Sequence, residues 1–212
     1  MSASKVKLLW RTENCEAQIL RMARISSGNR DSDDTRLLGY LIRNKHWSPF
    51  EMCNMCVEIE GPRAILRQIL RHRTFNFQEF SMRYQSVKDQ ALITTEARFQ
   101  DHKNRQNSID NVPDEIKQEW SVRQQELNAK IFETYEWALE KGIAKECARA
   151  VLPEGNTISI ICMNGTLRSW IHYLQLRCAN GTQKEHIEIA NMIKSIFCEN
   201  FPVIAKAAFN ST

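Results

Sequence analysis

Arg71-His72-Arg73-Thr74-Phe75-Asn76-Phe77-Gln78-Glu79-Phe80-Ser81-Met82-Arg83-Tyr84 is the densest chemistry in this chain. Arg71, Arg73 and Arg83 stand here with His72, against Glu79 as the one acid. Arginine is a planar, permanently charged fork that grips phosphate or carboxylate through two parallel hydrogen bonds. Cations packed this closely repel one another unless an anion sits among them. The simplest reading is a pocket for a phosphorylated molecule.

The residues just upstream explain how the cluster is presented. Gly61-Pro62 makes a sharp start, and proline suits a first helical turn. A helix is expected from Arg63 to about His72, with Ile65, Leu66, Ile69 and Leu70 as its core side. Arg63, Arg67 and Arg71 then fall at i, i+4 and i+8 along one face, with Gln68 beside them. For Arg63 and Arg67 two readings stay open: a ligand-facing stripe, or the wet face of an amphipathic helix. The helix feeds Arg71 and Arg73 into the loop that carries Ser81.

Outward from this centre the pattern alternates between helix and strand. Helices are expected over 13–25, with Ile19, Met22 and Ala23 inward, and over 35–44, with Leu37, Leu38, Leu41 and Ile42 inward. A polar loop, 26–34, separates them. Cys53, Met55, Val57 and Ile59 alternate with Asn54, Cys56, Glu58 and Glu60, which predicts a strand over 50–60. Residues 85–113 are polar and weakly patterned, which reads as a strand end and a long loop. A long helix is expected over 114–141, with Ile116, Trp120, Leu127, Ile131, Tyr135 and Ala138 at helical spacing and Gly142 as its cap. A short helix over 144–151, a strand over 156–163, and helices over 166–178 and 185–201 complete the pattern. No internal repeat or linker interrupts it. The expected fold class is α+β, one domain spanning residues 1–212.

Composition narrows the class of function. The chain has 212 residues, 42% hydrophobic and 25% charged, as a globular domain with a sizeable core requires. A net charge of +4 is too small for a general nucleic-acid coat, so the basic cluster is local. No run of about 18 apolar residues offers a membrane span. The N-terminal Met1-Ser2-Ala3-Ser4-Lys5 has no apolar signal core. Seven cysteines without framework spacing read as free thiols of a reducing cytoplasm. Cys53 and Cys56 form a Cys-x-x-Cys, but on a strand they point to opposite faces, and no second pair completes a zinc site. No metal is expected.

Arg71-His72-Arg73, seven residues, Ser81, then Arg83-Tyr84 resembles the signature of the flavin-dependent thymidylate synthases, the ThyX family. Other segments agree in family order. They are Arg24-Ile25-Ser26, Ser48-Pro49-Phe50-Glu51, Arg67-Gln68, Ala148-Arg149-Ala150-Val151-Leu152-Pro153, Leu167-Arg168-Ser169-Trp170 and Leu174-Gln175-Leu176-Arg177. The resemblance runs from about Arg24 to Phe197. It implies a small, mostly antiparallel twisted sheet with flanking helices. It also implies that deoxyuridylate (dUMP) becomes thymidylate (dTMP), with methylenetetrahydrofolate giving the carbon, reduced FAD the hydride and NADPH the reducing power. By position, Gln68, Arg71, Glu79, Ser81, Met82, Arg83 and Arg149 match nucleotide contacts. Arg177 matches the arginine that ionises and activates the uracil. Ser26, Ser48, Arg71, His72, Arg73, Glu79, Thr166, Arg168 and His172 match flavin contacts, and His46 a histidine at the folate and flavin face. Members are homotetramers with sites shared between subunits, and a cytoplasmic location follows.

Two departures stand out. Met82 occupies a place where members commonly carry glycine, and a side chain there restricts φ and adds bulk. Gly181 replaces a histidine that often touches flavin. Ser81 has no base placed near it by sequence, so it reads as a binding residue rather than a nucleophile. A different class stays open beside the enzyme. Arginines interleaved with Phe75, Phe77, Phe80 and Tyr84 could form a single-stranded nucleic-acid surface.

Overall fold

The alternation that begins at Asn54 belongs to a four-stranded antiparallel sheet, in a computed structural model that describes residues 4–25, 34–84 and 92–209. Its strands are β1 (Lys5–Arg11), β2 (Asn54–Pro62), β3 (Asn76–Glu79) and β6 (Ile158–Thr166), in the spatial order β1-β2-β6-β3. Met55, Val57 and Ile59 of β2 and Ile161 and Met163 of β6 point to one face and are fully buried. Their neighbours Glu58, Glu60, Cys162 and Asn164 lie on the other face and keep contact with solvent. One covered face and one wet face is the usual condition of an antiparallel sheet. At the edge, Lys5 and Lys7 stand opposite Glu60 and Glu58, so charge as well as hydrophobicity fixes the register of β1.

Helices α1 (Cys15–Ala23), α2 (Arg36–Arg43), α3 (Arg63–Ile69), α6 (Leu167–Arg177), α7 (Lys184–Asn200) and α8 (Pro202–Phe209) enclose the buried face. Trp170 of α6 is its largest fully buried side chain, and its indole N–H donates to the Met55 carbonyl at 2.9 Å. Phe75 packs edge-on against Trp170 with ring centres 4.7 Å apart. It lies so close to Gly165 that a Cβ there would overlap its ring. Glycine is required at that crossing by space, not by φ.

Several boundaries move from the sequence reading, each for a local reason. Ser48–Met52 is a 3-10 helix, so the strand starts at Asn54 instead of 50; Pro49 in its first turn favours helical φ. The expected helix over 63–72 ends at Ile69, and turns carry Arg71 to Thr74. β1 and β3 were not expected, although Lys5-Val6-Lys7-Leu8 has the strand alternation. Nor was α8, whose first turn is capped by Glu16: one carboxylate oxygen accepts from the N–H of Val203 at 2.9 Å and of Ile204 at 3.0 Å. The expected loop over 85–113 contains a short ladder, β4 (Phe99–Gln100) with β5 (Ser108–Ile109); residues 85–91 lie outside the described residues, as do 26–33 of the expected polar loop.

The long helix α4 (Asp114–Glu140) is where it was expected, and Gly142 follows it at φ 76°. Tyr135 and Ala138 of the spaced set are buried, and the N-terminal half differs. Trp120 is 43% exposed and Leu127 58%, whereas Gln124 and Asn128 are buried. The reason is a strap at 93–95. Gln124 accepts from the Thr95 N–H at 2.8 Å and donates to the Thr95 carbonyl at 3.0 Å, and Asn128 donates to the Ile93 carbonyl at 3.0 Å. These amides and the Trp120 indole, which donates to the Thr95 carbonyl at 2.9 Å, hold this part of the helix, while Ile116 and Leu127 face outward. A second, smaller core under its C-terminal half joins Tyr135 and Ala138 to Met82 and to Ala148 of the short helix α5 (Lys145–Ala148). Among the described residues no helix is long and apolar enough to cross a membrane.

Candidate active site

The arginine stripe on α3 separates into two functions. Arg63 Nε lies 3.7 Å from Glu79, and Arg67 Nε lies 3.2 Å from Glu154 and its Nη1 4.0 Å from Glu79. These pairs tie α3 to β3 and to the turn before β6, so Arg63 and Arg67 are cross-links. Glu79 is thereby neutralised from the α3 side. Arg71 and Arg73 lie beyond the helix end and are exposed. Among the described residues no carboxylate pairs with either. Two unpaired guanidinium groups in one turn are the donor set an anionic dinucleotide such as FAD needs.

His72 sits between them and turns inward. Its Nε2 accepts from Arg177 Nε at 2.9 Å, across 105 residues of sequence. Its ring stands edge-on to Tyr173 with centres 4.9 Å apart. Burial, the Arg177 cation and nearby His172 together push the imidazole down to about 4, so it is neutral near pH 7. Neutrality is what lets Nε2 accept. The bond consumes the Nε donor of Arg177 and holds the fork at the C-terminal end of α6, leaving its two terminal nitrogens for a ligand. The one place left on the His72 ring for a ligand is Nδ1, which carries the proton.

The N-terminal turn of α6 gathers the other expected flavin positions. Thr166 is its N-cap, and its hydroxyl accepts from the Ser169 N–H at 3.3 Å. Ser169 in turn donates to the Thr74 carbonyl at 3.3 Å, which fastens the Arg71–Thr74 turn to this helix. Arg168 pairs with Glu51 at 2.5 Å, bringing the Ser48–Met52 segment alongside. Ser48, His46 and His172 are all exposed, and the His46 ring stands edge-on to Tyr40 at 5.9 Å. Ser26 lies outside the described residues. Gly181 has φ 89° in the turn between α6 and α7, a conformation that glycine takes without strain.

At the end of β3 away from the Arg71–Thr74 turn, a cleft of about 410 Å³ opens between β3 and β6, lined by Gln78, Glu79, Ser81, Tyr84 and Cys162 among others. Ser81 Oγ accepts from the Arg83 N–H at 3.4 Å, and among the described residues no imidazole hydrogen-bonds to it. Met82 is 2% exposed, with its side chain in the smaller core and its sulfur 3.2 Å from Arg63 Nη1. The side chain therefore points away from the cleft, and its bulk is absorbed by Tyr135, Ala138 and Ala148. Arg83 pairs with Glu146 of α5 at 3.3 Å, and Arg149 begins the next 3-10 turn. No hydrogen bond or ion pair joins Arg83 or Arg149 to His72 or Arg177 among the described residues. Hydrogen bonds and ring contacts bring His72 and Arg177 together, with Tyr173 and His186 linking them to Gln68, while Ser81 lines the cleft beside β3 and Arg83 pairs with α5.

The aromatic residues do not form a stacking platform. Phe75 is buried and Phe77 packs on the main core; Tyr84 is exposed. The Cys-x-x-Cys also divides: Cys53 belongs to the main core, with its thiol 3.7 Å from the Cys15 carbonyl, while Cys56 lies on the far face near Cys162. All seven cysteines are free.

Two residues of the region escaped the sequence reading. Tyr173 Oη lies 3.0 Å from His186 Nε2, and His186 Nδ1 lies 3.3 Å from Gln68 Oε1. The signal was present: His186 falls in phase with Ile189, Ala190 and Ile193, on the buried face of α7.

Comparison with known proteins adds the following. A family model described as thymidylate synthase complementing protein matches residues 7–203. A probable flavin-dependent thymidylate synthase of Paramecium bursaria Chlorella virus 1 is 51% identical over 195 residues, 91% of this chain and 89% of that one. The flavin-dependent thymidylate synthase of a Synechocystis species is 49% identical over 193 residues, 91% of this chain and 88% of that one. Among solved structures, the UMP/dUMP methylase PolB from Streptomyces cacaoi bound with 5-Br dUMP superposes with a TM-score of 0.84 at 28% identity, over 98% of this chain and 95% of that one.

Proposed function

We propose the function from one premise: the chain belongs to the flavin-dependent thymidylate synthase family. It is an FAD-dependent methyltransferase that converts dUMP to dTMP, with methylenetetrahydrofolate as carbon donor and NADPH as reductant. When bound, reduced FAD supplies the hydride that completes the methyl group. Arg71, Arg73 and the proton on His72 Nδ1 would hold the anionic cofactor, with Ser48, Thr166, Arg168 and His172 beside them and His46 at the folate side. Ser26 and Glu79 complete the proposed flavin set, Glu79 now charge-paired with Arg63.

The observation that carries the reading is the bond between Arg177 and His72. A neutral imidazole fixes the Nε side of the guanidinium, so the two remaining nitrogens present a preorganised cation. Aimed at the N3 and O2 edge of uracil, that cation favours loss of the N3 proton and raises electron density at C5, the carbon that is methylated. Fixed charge of this kind needs no reorganisation during reaction and is often the largest catalytic term. Gln68, Arg71, Glu79, Ser81, Arg83, Arg149 and the Met82 backbone are assigned to binding dUMP.

We further assign the protein to a homotetramer with sites shared between subunits, Ser81, Arg83 and Arg149 of one subunit completing the site of another. The exposed apolar stripe of α4, with Ile116, Trp120, Leu127 and Trp137, supports the same assembly. We assign residues 1–212 to one domain and the protein to the cytoplasm. Tritium release from dUMP labelled at C5 tests the activity. Release should require FAD, NADPH and methylenetetrahydrofolate together, and release without flavin would refute it. Mixing an Arg73→Ala protein with a Ser81→Ala protein tests site sharing: non-additive activity supports it, and strictly additive activity refutes it.

A further inference from the structure

A line of polar contacts crosses the protein behind the site. Tyr173, His186 and Gln68 lead on to Gln183, whose Oε1 accepts from Gln68 Nε2 at 2.7 Å. Gln183 Nε2 donates to Glu185 at 2.9 Å, and Glu185 pairs with Arg98 at 2.6 Å. His186 is 0% exposed, although its helix face is otherwise apolar. A buried imidazole is tolerable only when both nitrogens find partners.

The contacts allow one assignment of protons. Gln68 Nε2 donates to Gln183, so Gln68 Oε1 is the atom facing His186, and it can only accept. His186 Nδ1 must therefore carry the proton, and Nε2 accepts the Tyr173 hydroxyl. The amide of Gln68 is clamped at both ends. Its second N–H has no hydrogen-bond partner among the described residues, on the half-buried side chain one turn before Arg71.

We propose that His186 is a positioning residue that locks the Gln68 amide so that its free N–H donates to an acceptor oxygen of the bound nucleotide. The acceptor is a uracil carbonyl or the phosphate; both present the same lone pairs. Without the imidazole the amide can rotate and offer its own oxygen, which would repel either acceptor. The inference rests on the assignment of Gln68 to nucleotide binding, and the test separates the two.

The experiment uses the FAD-loaded full chain and measures dUMP affinity, KM and kcat for wild type, His186→Leu, His186→Gln, Gln68→Ala and the His186→Leu/Gln68→Ala pair. His186→Leu should weaken dUMP by about tenfold, the scale of one lost hydrogen bond with its partner left unpaired. At saturating dUMP, kcat should stay within about twofold, because Arg177 is still held by His72. His186→Gln restores a donor and an acceptor and should recover most of the affinity, which also covers the case in which the leucine variant folds poorly. The paired variant should bind no worse than Gln68→Ala alone. If Gln68→Ala leaves dUMP affinity unchanged, the nucleotide role of Gln68 fails and the inference falls with it. If Gln68→Ala weakens dUMP while His186→Leu and His186→Gln bind normally, the inference alone is overturned. Fully additive losses, or a fall confined to kcat, overturn it as well. Deoxyuridine as competitor locates the acceptor: a penalty that persists places it on the base, and one that vanishes places it on the phosphate.

Discussion

Acidification from pH 8 to pH 5 should remove up to about 4 kcal/mol of folding free energy, through one buried histidine and one half-buried one. His72 is held down to about 4 by burial, Arg177 and His172. His186 is held down to about 3 by burial, Arg177 and His72. An unfolded histidine titrates near 6.5. Between these values the unfolded chain takes up protons that the native state refuses, so stability falls as pH falls through 6.5 and levels off only below the native values. At pH 5 each unfolded imidazole is about 1.5 pH units below its own midpoint, worth about 2 kcal/mol for buried His186 and less for half-buried His72, where solvent screens part of the shift. The neighbouring acid does not confuse the window. Burial opposes ionisation of Glu185, yet its backbone N–H and Arg98 hold it below the usual carboxylate range, so it titrates later. The assay is guanidinium unfolding at pH 8, 7, 6 and 5, at fixed protomer and FAD concentrations. His186→Gln removes one titrating group while keeping hydrogen-bonding atoms, and should retain at most half of the loss, no more than about 2 kcal/mol. The reasoning is refuted if wild-type stability changes by less than about 1 kcal/mol between pH 8 and 5, or if His186→Gln shows the full slope.

Three further substitutions probe separate parts of the structure. Gly165→Ala drives a methyl group into the Phe75 ring, and should lower stability by about 1–3 kcal/mol; an unchanged melting temperature would show that Phe75 can yield. Met82→Ala should destabilise by about 2–5 kcal/mol, because the side chain fills the core against Tyr135. In the same folded variant dUMP affinity should move less than about threefold, and a larger shift would place the Met82 side chain at the nucleotide. Ser81→Ala should retain measurable thymidylate formation, since no imidazole hydrogen-bonds to Ser81 among the described residues; complete loss of turnover with intact dUMP binding would restore the nucleophile.

Local patterns carried much of the architecture. The helix of α6, with Leu167, Trp170, Ile171 and Leu174 inward, was legible because every inward residue is apolar and correctly spaced. Of the residues spaced along α4, Tyr135 and Ala138 are buried, whereas the N-terminal half packs Gln124 and Asn128 on the backbone of residues 93–95, a polar partner that hydrophobic periodicity does not register. β4 and β5 were too short for any periodic signal. The smaller core under α4 depends on Met82, which the sequence presented as an intrusion into a nucleotide loop.

The division is clearest in the cluster at 71–84. Sequence by itself pointed to an anion site, because three arginines against one acid repel one another unless a counter-charge sits among them. Sequence also determined the family, through motifs whose spacing is covalent. Only the tertiary structure decided which charges are spent. Arg63 and Arg67 are engaged by Glu79 and Glu154 and Arg83 makes only an exposed pair with Glu146, while no carboxylate among the described residues pairs with Arg71 or Arg73. It also decided that His72 is a neutral acceptor for Arg177 and that Gln68 is clamped by His186. Those outcomes depend on distances between residues 105 and 118 positions apart. Coulomb and hydrogen-bond energies act through space, and the order of residues along the chain does not encode separation in space until the sheet and helices have closed.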